Sequence, residues 1–74
     1  MTATINAMDY VHVDNLLVDQ LMVDDLVEID DEIVQILNIV STKDGFALTF
    51  ENEFGEKNIQ EFKDNTVFKL FILQ

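Results

Sequence analysis

The stretch that decides the fold is residues 33–51, which read IVQILNIVSTKDGFALTFE. In its second half, Phe46, Leu48 and Phe50 alternate with small or polar residues, and a period of two is typical of a β-strand. Asp44-Gly45 stands just before this alternation and is a strong signal for a hairpin turn. The stretch therefore predicts two antiparallel strands joined by a tight turn.

The first half of the stretch, residues 33–40, is apolar on both faces of the predicted strand. Strict alternation separates its apolar side chains into Ile33, Leu37 and Ile39 on one face and Val34, Ile36 and Val40 on the other. Strands that are buried on both faces have nearly continuous apolar sequences of this kind. We expect a central strand of a barrel, or a strand with one face buried in an oligomer.

The segments on either side of this stretch predict further strands. Leu26–Ile29 precedes it, joined by a tight turn at Asp30-Asp31, because Asp tolerates left-handed backbone. Residues 57–62 and 66–73 follow, and the last is rich in β-branched and aromatic side chains. Both glycines, at 45 and 55, lie between apolar runs, where a positive φ is expected.

The N-terminal third of the chain leaves two alternatives open. Residues 10–13 predict a strand, whereas residues 14–23 fit either a short helix capped by Asp14 or an extended stretch with a turn at Asp24-Asp25. We favour one helical turn within residues 14–20. The predicted organisation is an N-terminal tail over residues 1–9 and a single domain over residues 10–74. The fold class is mainly β: a small barrel of five or six antiparallel strands.

The composition limits how such a domain can be stabilised. A chain of 74 residues buries a thin core, and the absence of cysteine excludes disulfides. Hydrophobic residues nevertheless make up 49% of the chain, which favours self-association as the remaining support. The sequence shows neither a secretion signal nor an apolar run long enough for a membrane span, so we predict a cytoplasmic protein.

Charge is distributed unevenly along the chain. The net charge is −11, and residues 1–42 carry nine acids and no lysine or arginine. Such a surface repels phosphate, so direct binding to nucleic acid or to anionic membranes is not expected. The charge favours a basic protein as the partner, at whose nucleic-acid site the chain acts as an acidic mimic, whereas the apolar share favours a second copy of the chain.

Residues 21–29, LMVDDLVEI, followed by the predicted strands, resemble SH3-like small β-barrels. KOW-type domains, the N-terminal domain of elongation factor P and many short bacterial or viral proteins of unknown function share this pattern. The resemblance covers about residues 10–72 and implies five barrel strands; Asp24 stands where the family has a turn glycine. It also implies an alternative, translation-factor-like function through Lys43, although the Pro-Gly-Lys-Gly motif around the modified lysine of that factor is absent.

Candidate chemical groups are few. His12 would need a nucleophile or a carboxylate beside it, and Ser41, the only serine, has no Gly-x-Ser-x-Gly context. The sequence therefore predicts no catalytic residue, no cofactor site and no metal site, and the chain is not expected to be an enzyme.

The remaining candidates suggest contact with other proteins. The carboxylates in and around the predicted strand Leu26–Ile29 lack calcium-loop spacing and are interpreted as an acidic rim that discourages edge pairing or contacts a partner: Asp24, Asp25, Glu28, Asp30, Asp31 and Glu32. Phe54 lies at a predicted loop tip, where it either contacts a partner or folds back over the barrel end. We expect a non-enzymatic interaction or assembly module that self-associates.

Overall fold

A computed structural model describes residues 10–73, and these form one antiparallel sheet. The strands are β1 (Tyr10–Leu17), β2 (Leu26–Ile29), β3 (Glu32–Ser41), β4 (Gly45–Glu51), β5 (Lys57–Lys63) and β6 (Val67–Leu73), with one 3₁₀ turn at Val18–Gln20. Their order in the sheet is β1-β6-β2-β3-β4-β5. The prediction of a mainly β fold with five or six antiparallel strands and one short helical turn is confirmed, and the number of strands is six. The tail predicted for residues 1–9 lies outside the described residues.

The sheet is not closed into the expected barrel. Strand β6 pairs with β1 from Val67 to Leu73 and with β2 at Leu70 and Phe71. Strand β6 therefore lies inside the sheet, and closure of a barrel would require the end strands β1 and β5 to pair, which they do not do in the described residues. Within residues 10–73, β1 and β5 therefore remain as the two edges of an open sheet.

The core lies on one face of this curved sheet. Nine of the described apolar residues are buried there: Val18, Leu21, Val27, Ile29, Val34, Ile36, Leu48, Phe50 and Phe68. Phe62 packs edge-on against Phe68, with ring centroids 5.0 Å apart, and this contact joins the edge strand β5 to β6 across the face. We call this the core face and the opposite side of the sheet the outer face.

A β-bulge in β3 changes the predicted assignment of faces. Ile36 pairs with Phe50 and Asn38 with Thr49, so Leu37 is an additional residue without a partner in β4. Beyond the bulge the alternation is shifted by one residue. Ile39 consequently packs against the core with Ile36, and Val40 is exposed on the outer face. The alternation predicted from sequence is wrong at these two positions.

The N-terminal third combines parts of the two alternatives: residues 14–17 are extended, one 3₁₀ turn follows at Val18–Gln20, and a further turn lies at residues 23–24. Strand β1 continues to Leu17 because residues 14–17 pair with residues 67–70 of β6, so Asp14 lies within a strand and caps no helix. The 3₁₀ turn begins after it, and Gln20 Oε1 accepts a hydrogen bond of 2.8 Å from the backbone N–H of Leu17. The turn directs Val18 into the core.

Left-handed backbone occurs at most of the predicted turn positions. Asp24 has φ 81°, Asp30 has φ 53°, Asp31 has φ 68° and Gly55 has φ 81°. Gly45 differs from the prediction, because it is buried at the start of β4 and is not in the positive-φ region. A Cβ atom there would overlap the carbonyl oxygen of Phe62 and lie 2.8 Å from the Cα of Lys63. Gly45 is therefore required by the close approach of β5.

The two glycines should respond differently to alanine. We expect Gly45→Ala to reduce the free energy of unfolding by about 2 to 3 kcal/mol, because backbone of β5 must move away. Gly55→Ala should cost about 1 kcal/mol, the usual cost of a left-handed alanine, since a Cβ there meets only a flexible glutamate side chain. Urea denaturation followed by circular dichroism measures both. Equal losses at the two positions would contradict this account.

The same substitution in the core and on the surface tests the position of the core. Ile36 is 0% exposed and Ile72 is 51% exposed. Ile36→Val should cost about 1 kcal/mol of stability, because it leaves a small cavity. Ile72→Val should cost less than about 0.5 kcal/mol. Denaturation midpoints of the two variants measure these losses, and a larger loss of stability at Ile72 than at Ile36 would contradict the burial of Ile36 in the core.

Candidate functional site

The first two residues of the predicted acidic rim hold the turn that precedes β2. Asp25 Oδ2 accepts a hydrogen bond from the backbone N–H of Met22 at 2.8 Å, and Asp24 Oδ1 accepts one from Gln35 Nε2 at 3.1 Å. The backbone N–H of Asp24 donates to the carbonyl of Ile36 at 2.7 Å, and the N–H of Ile36 donates to the carbonyl of Asp25 at 2.9 Å. These contacts fasten the turn to β3 and give both carboxylates a structural role.

The other members of the rim also have local roles. Asp30 and Asp31 form the two-residue turn between β2 and β3, with positive φ at both positions, as this type of hairpin requires. Glu28 lies on the outer face, where Oε1 is 3.9 Å from Nζ of Lys69. An ion pair this exposed stabilises the fold by less than about 1 kcal/mol.

The structure does not bring the predicted rim together at one point. Asp24 and Asp25 precede β2, whereas Asp30 and Asp31 follow it, so the two pairs are separated by a strand about 13 Å long. Among residues 10–73, no group of three or more acidic or histidine side chains is arranged to hold a metal ion. The rim is therefore divided between two separate turns and Glu28 on the strand between them, and it does not form a single site.

His12 is exposed on the outer face of β1. Its Nε2 lies 3.0 Å from the carbonyl oxygen of Asp14 and 2.8 Å from Oδ1 of Asn15; both are acceptors, so Nε2 carries the proton. Its ring lies 5.5 Å from that of Phe71. Ser41 lies at the end of β3, which β6 and β2 separate from β1 in the sheet. The structure pairs His12 with the local backbone and not with Ser41.

Phe54 lies at the tip of the turn between β4 and β5, and its side chain is 74% exposed. Asn52 Oδ1 fixes this turn by accepting hydrogen bonds from the backbone N–H groups of Phe54 at 2.9 Å and Glu56 at 3.0 Å. Of the two alternatives predicted from sequence, the structure shows the exposed tip and not an aromatic ring folded over the sheet.

The most accessible apolar side chain within a strand is one that sequence reasoning did not select. Ile59 lies in the middle of β5 and is 73% exposed. It pairs with Thr49 on the outer face, whereas Phe62 pairs with Phe46 on the core face. The alternation in the sequence already indicated that Ile59 and Phe62 point to opposite faces, since they are three positions apart in one strand.

Ile59 belongs to a small apolar patch beside a free strand edge. Val40 pairs with Ala47 on the outer face, and Ile59 lies diagonal to Ala47 on the neighbouring strand. Val40 and Ile59 are both exposed. Strand β5 pairs with β4 along its whole length, and no other described strand covers its second edge. We call this edge, with Ile59 at its centre, the β5 edge.

Comparisons with known proteins add no information about function to this geometry. Protein-family models, curated proteins and solved structures were searched, and none matches the chain. Over the described residues, the structure contains no helix whose length and apolar character would allow it to cross a membrane.

The structural role of Asp25 can be separated from its charge. Asp25→Ala should cost about 1 kcal/mol of stability, because the N–H of Met22 loses its acceptor. Asp25→Asn keeps an acceptor oxygen and should cost less than about 0.5 kcal/mol. Asp19→Ala is the control, since the structure shows no side-chain hydrogen bond at Asp19. Denaturation curves compare the three variants, and equal effects of Asn and Ala would assign the contribution to charge alone.

Proposed function

We propose that the protein is a non-enzymatic interaction module that binds a protein partner along the β5 edge. The observation that carries this proposal is a regular strand with one edge that no other described strand covers and with an isoleucine, 73% exposed, in its middle. An uncovered strand presents a row of unpaired N–H and C=O groups, and addition of a partner strand to such an edge is a common mode of recognition.

The two edges of the sheet are not equally suited to this role. In β1, the pairing with β6 shifts between His12 and Asp14, which marks a bulge at Val13. Bulges bend and twist an edge and are a common way of blocking it. In β5, seven consecutive residues pair with β4 without a shift. The straighter ladder favours β5 as the binding edge.

Charge and chemistry support a protein as the partner. The net charge of −11 opposes binding to nucleic acid, and residues 57–63 carry Lys57 and Lys63 against one acid, Glu61. In this proposal no residue is catalytic: His12 is exposed and bonded to its own strand. Such a module needs no cofactor and acts in the cytoplasm.

We further propose that the fold is related to SH3-like barrels. The segments that carry the resemblance correspond to β2 through β6, and these are adjacent in the sheet in the order β6-β2-β3-β4-β5. Strand β1 is then an addition to the edge of β6. In this view the added strand is what keeps the barrel open.

The alternative functions remain predictions. An acidic mimic of nucleic acid would need its carboxylates spaced along one surface, and the pairs Asp24-Asp25 and Asp30-Asp31 lie at opposite ends of β2. Lys43 is exposed in the turn between β3 and β4, where a translation-factor-like function would need it. No specific contact favours either function over the interaction module.

A charged residue at the centre of the β5 edge tests the proposed function. The wild-type chain is used as immobilised bait in a lysate of its native host, beside Ile59→Lys and the control Val67→Lys. Val67 is also β-branched and is 59% exposed, but it lies on β6. We expect wild type and Val67→Lys to retain the same proteins, including untagged copies of the chain, and Ile59→Lys to lose them. Retention of the same proteins by all three baits would overturn the proposal.

A further inference from the structure

We propose that the partner at the β5 edge is a second copy of this chain, added antiparallel about a two-fold axis through Ile59. The two sheets would then form one continuous sheet with the outer faces on the same side. This inference rests on the proposed function, because it names the partner of the same edge. Three features of β5 carry it: the direction of its free backbone groups, the order of its side chains and its local charge.

The free backbone groups of β5 belong to its odd-numbered residues. At one end of the β4–β5 hairpin, Asn52 N–H donates to the Glu56 carbonyl at 3.0 Å, and at the other end Asp64 N–H donates to the Asp44 carbonyl at 3.2 Å. Hydrogen-bonded residues alternate along an antiparallel ladder, so the even-numbered residues of β5 face β4. The N–H and C=O groups of Lys57, Ile59 and Glu61 therefore point away from the sheet.

The side chains of β5 are self-complementary in one register. When Ile59 lies opposite Ile59 of the second copy, Lys57 lies opposite Glu61 on both sides of the axis. The outer face then carries an apolar pair between two pairs of opposite charge, and such cross-strand pairs stabilise a sheet. On the core face, Asn58 lies opposite Gln60, so polar side chains meet polar side chains. All three outer-face pairs involve residues whose backbone groups are free.

Neighbouring registers are opposed by the same side chains. An axis through Gln60 places Lys57 opposite Lys63 and Ile59 opposite Glu61. An axis through Glu61 brings two glutamates face to face, and an axis through Asn58 places Lys57 opposite Ile59. Like charges directly opposite one another destabilise a strand pair. The lysines of β5 thus discourage incorrect edge pairing and leave one favourable alignment.

Local charge makes this edge the place where two acidic chains repel each other least. The chain as a whole carries −11, whereas residues 57–63 carry two lysines and one acid. Three pairs that exchange two backbone hydrogen bonds each give about six bonds across the interface. The contact is small, below the roughly 1,200 Å² of a standard interface, so we infer a weak dimer whose population rises with concentration and with salt.

Charge reversal tests both the partner and the register. Lys57→Glu alone places glutamates opposite Glu61, and Glu61→Lys alone places lysines opposite Lys57, so each variant should dimerise about tenfold more weakly than wild type or worse. An equimolar mixture of the two variants restores both pairs of opposite charge and should dimerise as wild type does. Lys63→Glu is the matched control, because the proposed register places Lys63 opposite Gly55. Sedimentation equilibrium from micromolar to millimolar concentration measures all four samples and wild type.

A single cysteine provides a second measurement of the register. Directly opposed, hydrogen-bonded residues have Cα atoms about 5.5 Å apart, which is within the range of a disulfide. The chain has no native cysteine, so Ile59→Cys should form a disulfide-linked dimer under mild oxidation, and Val67→Cys should not. Circular dichroism establishes that each variant is folded.

The outcomes distinguish this inference from the proposed function. A wild-type chain that stays monomeric at millimolar concentration overturns the self-pairing, and so does a mixture no more dimeric than its components. Loss of the dimer in Lys63→Glu but not in Lys57→Glu overturns the register. If wild type is monomeric and Ile59→Lys still loses other proteins in the bait experiment, the self-pairing fails while the interaction module stands.

Discussion

The double pairing of β6 is the constraint on which the rest of the structure depends. Its Val67–Leu73 backbone bonds β1 on one side and, at Leu70 and Phe71, β2 on the other. The C-terminal strand thereby joins the N-terminal strand to the β2–β5 meander. The sheet remains open because β1 and β5, the strands at its two ends, do not pair with each other within residues 10–73, and this leaves β5 with a free edge among the described strands.

An open sheet of this size has few ways to bury apolar surface. The buried residues all lie on the core face, with Val18 and Leu21 supplied by the 3₁₀ turn and the segment after it. The outer face keeps Val40 and Ile59 exposed. Small domains bury a smaller fraction of their surface than large ones, and the chain has no disulfide to offset this. Added strand pairing at β5 would extend both the ladder and the buried area.

Much of the fold could be predicted because local chemistry and strand pairing agree in most of the chain. The alternation at 46–50 and the Asp30-Asp31 turn fix β4 and the β2–β3 hairpin through side-chain direction and backbone conformation alone. Gly45 and Leu37 could not be predicted. The glycine is needed because β5 passes close to it, and Leu37 is extra only relative to β4. Both depend on how a second strand lies beside the first.

Prediction of the candidate site from sequence is limited in the same way, because it also depends on which strands lie beside one another. Phe54 was identified from the sequence because a turn tip is recognisable locally, whereas the acidic residues were grouped by their closeness in sequence and then separated by a strand. The position of Ile59 on the face opposite Phe62 follows from the alternation, but the free edge beside it depends on the order of the strands, which is not a local property.

The distribution of charge over the edges supports a selective contact rather than general edge protection. A chain that had to avoid all pairing would block β5 as it blocks β1, with a bulge, or would carry charges of one sign along the whole strand. Instead β5 is regular, and its outer-face order is Lys57, Ile59, Glu61, Lys63. Lysines alone would repel every copy in every register. Lys57 and Glu61 lie at equal distances in sequence before and after Ile59. When Ile59 lies opposite Ile59 of a second copy, each lysine therefore faces a glutamate and the two strands attract each other. This is the property expected of a strand that pairs with itself.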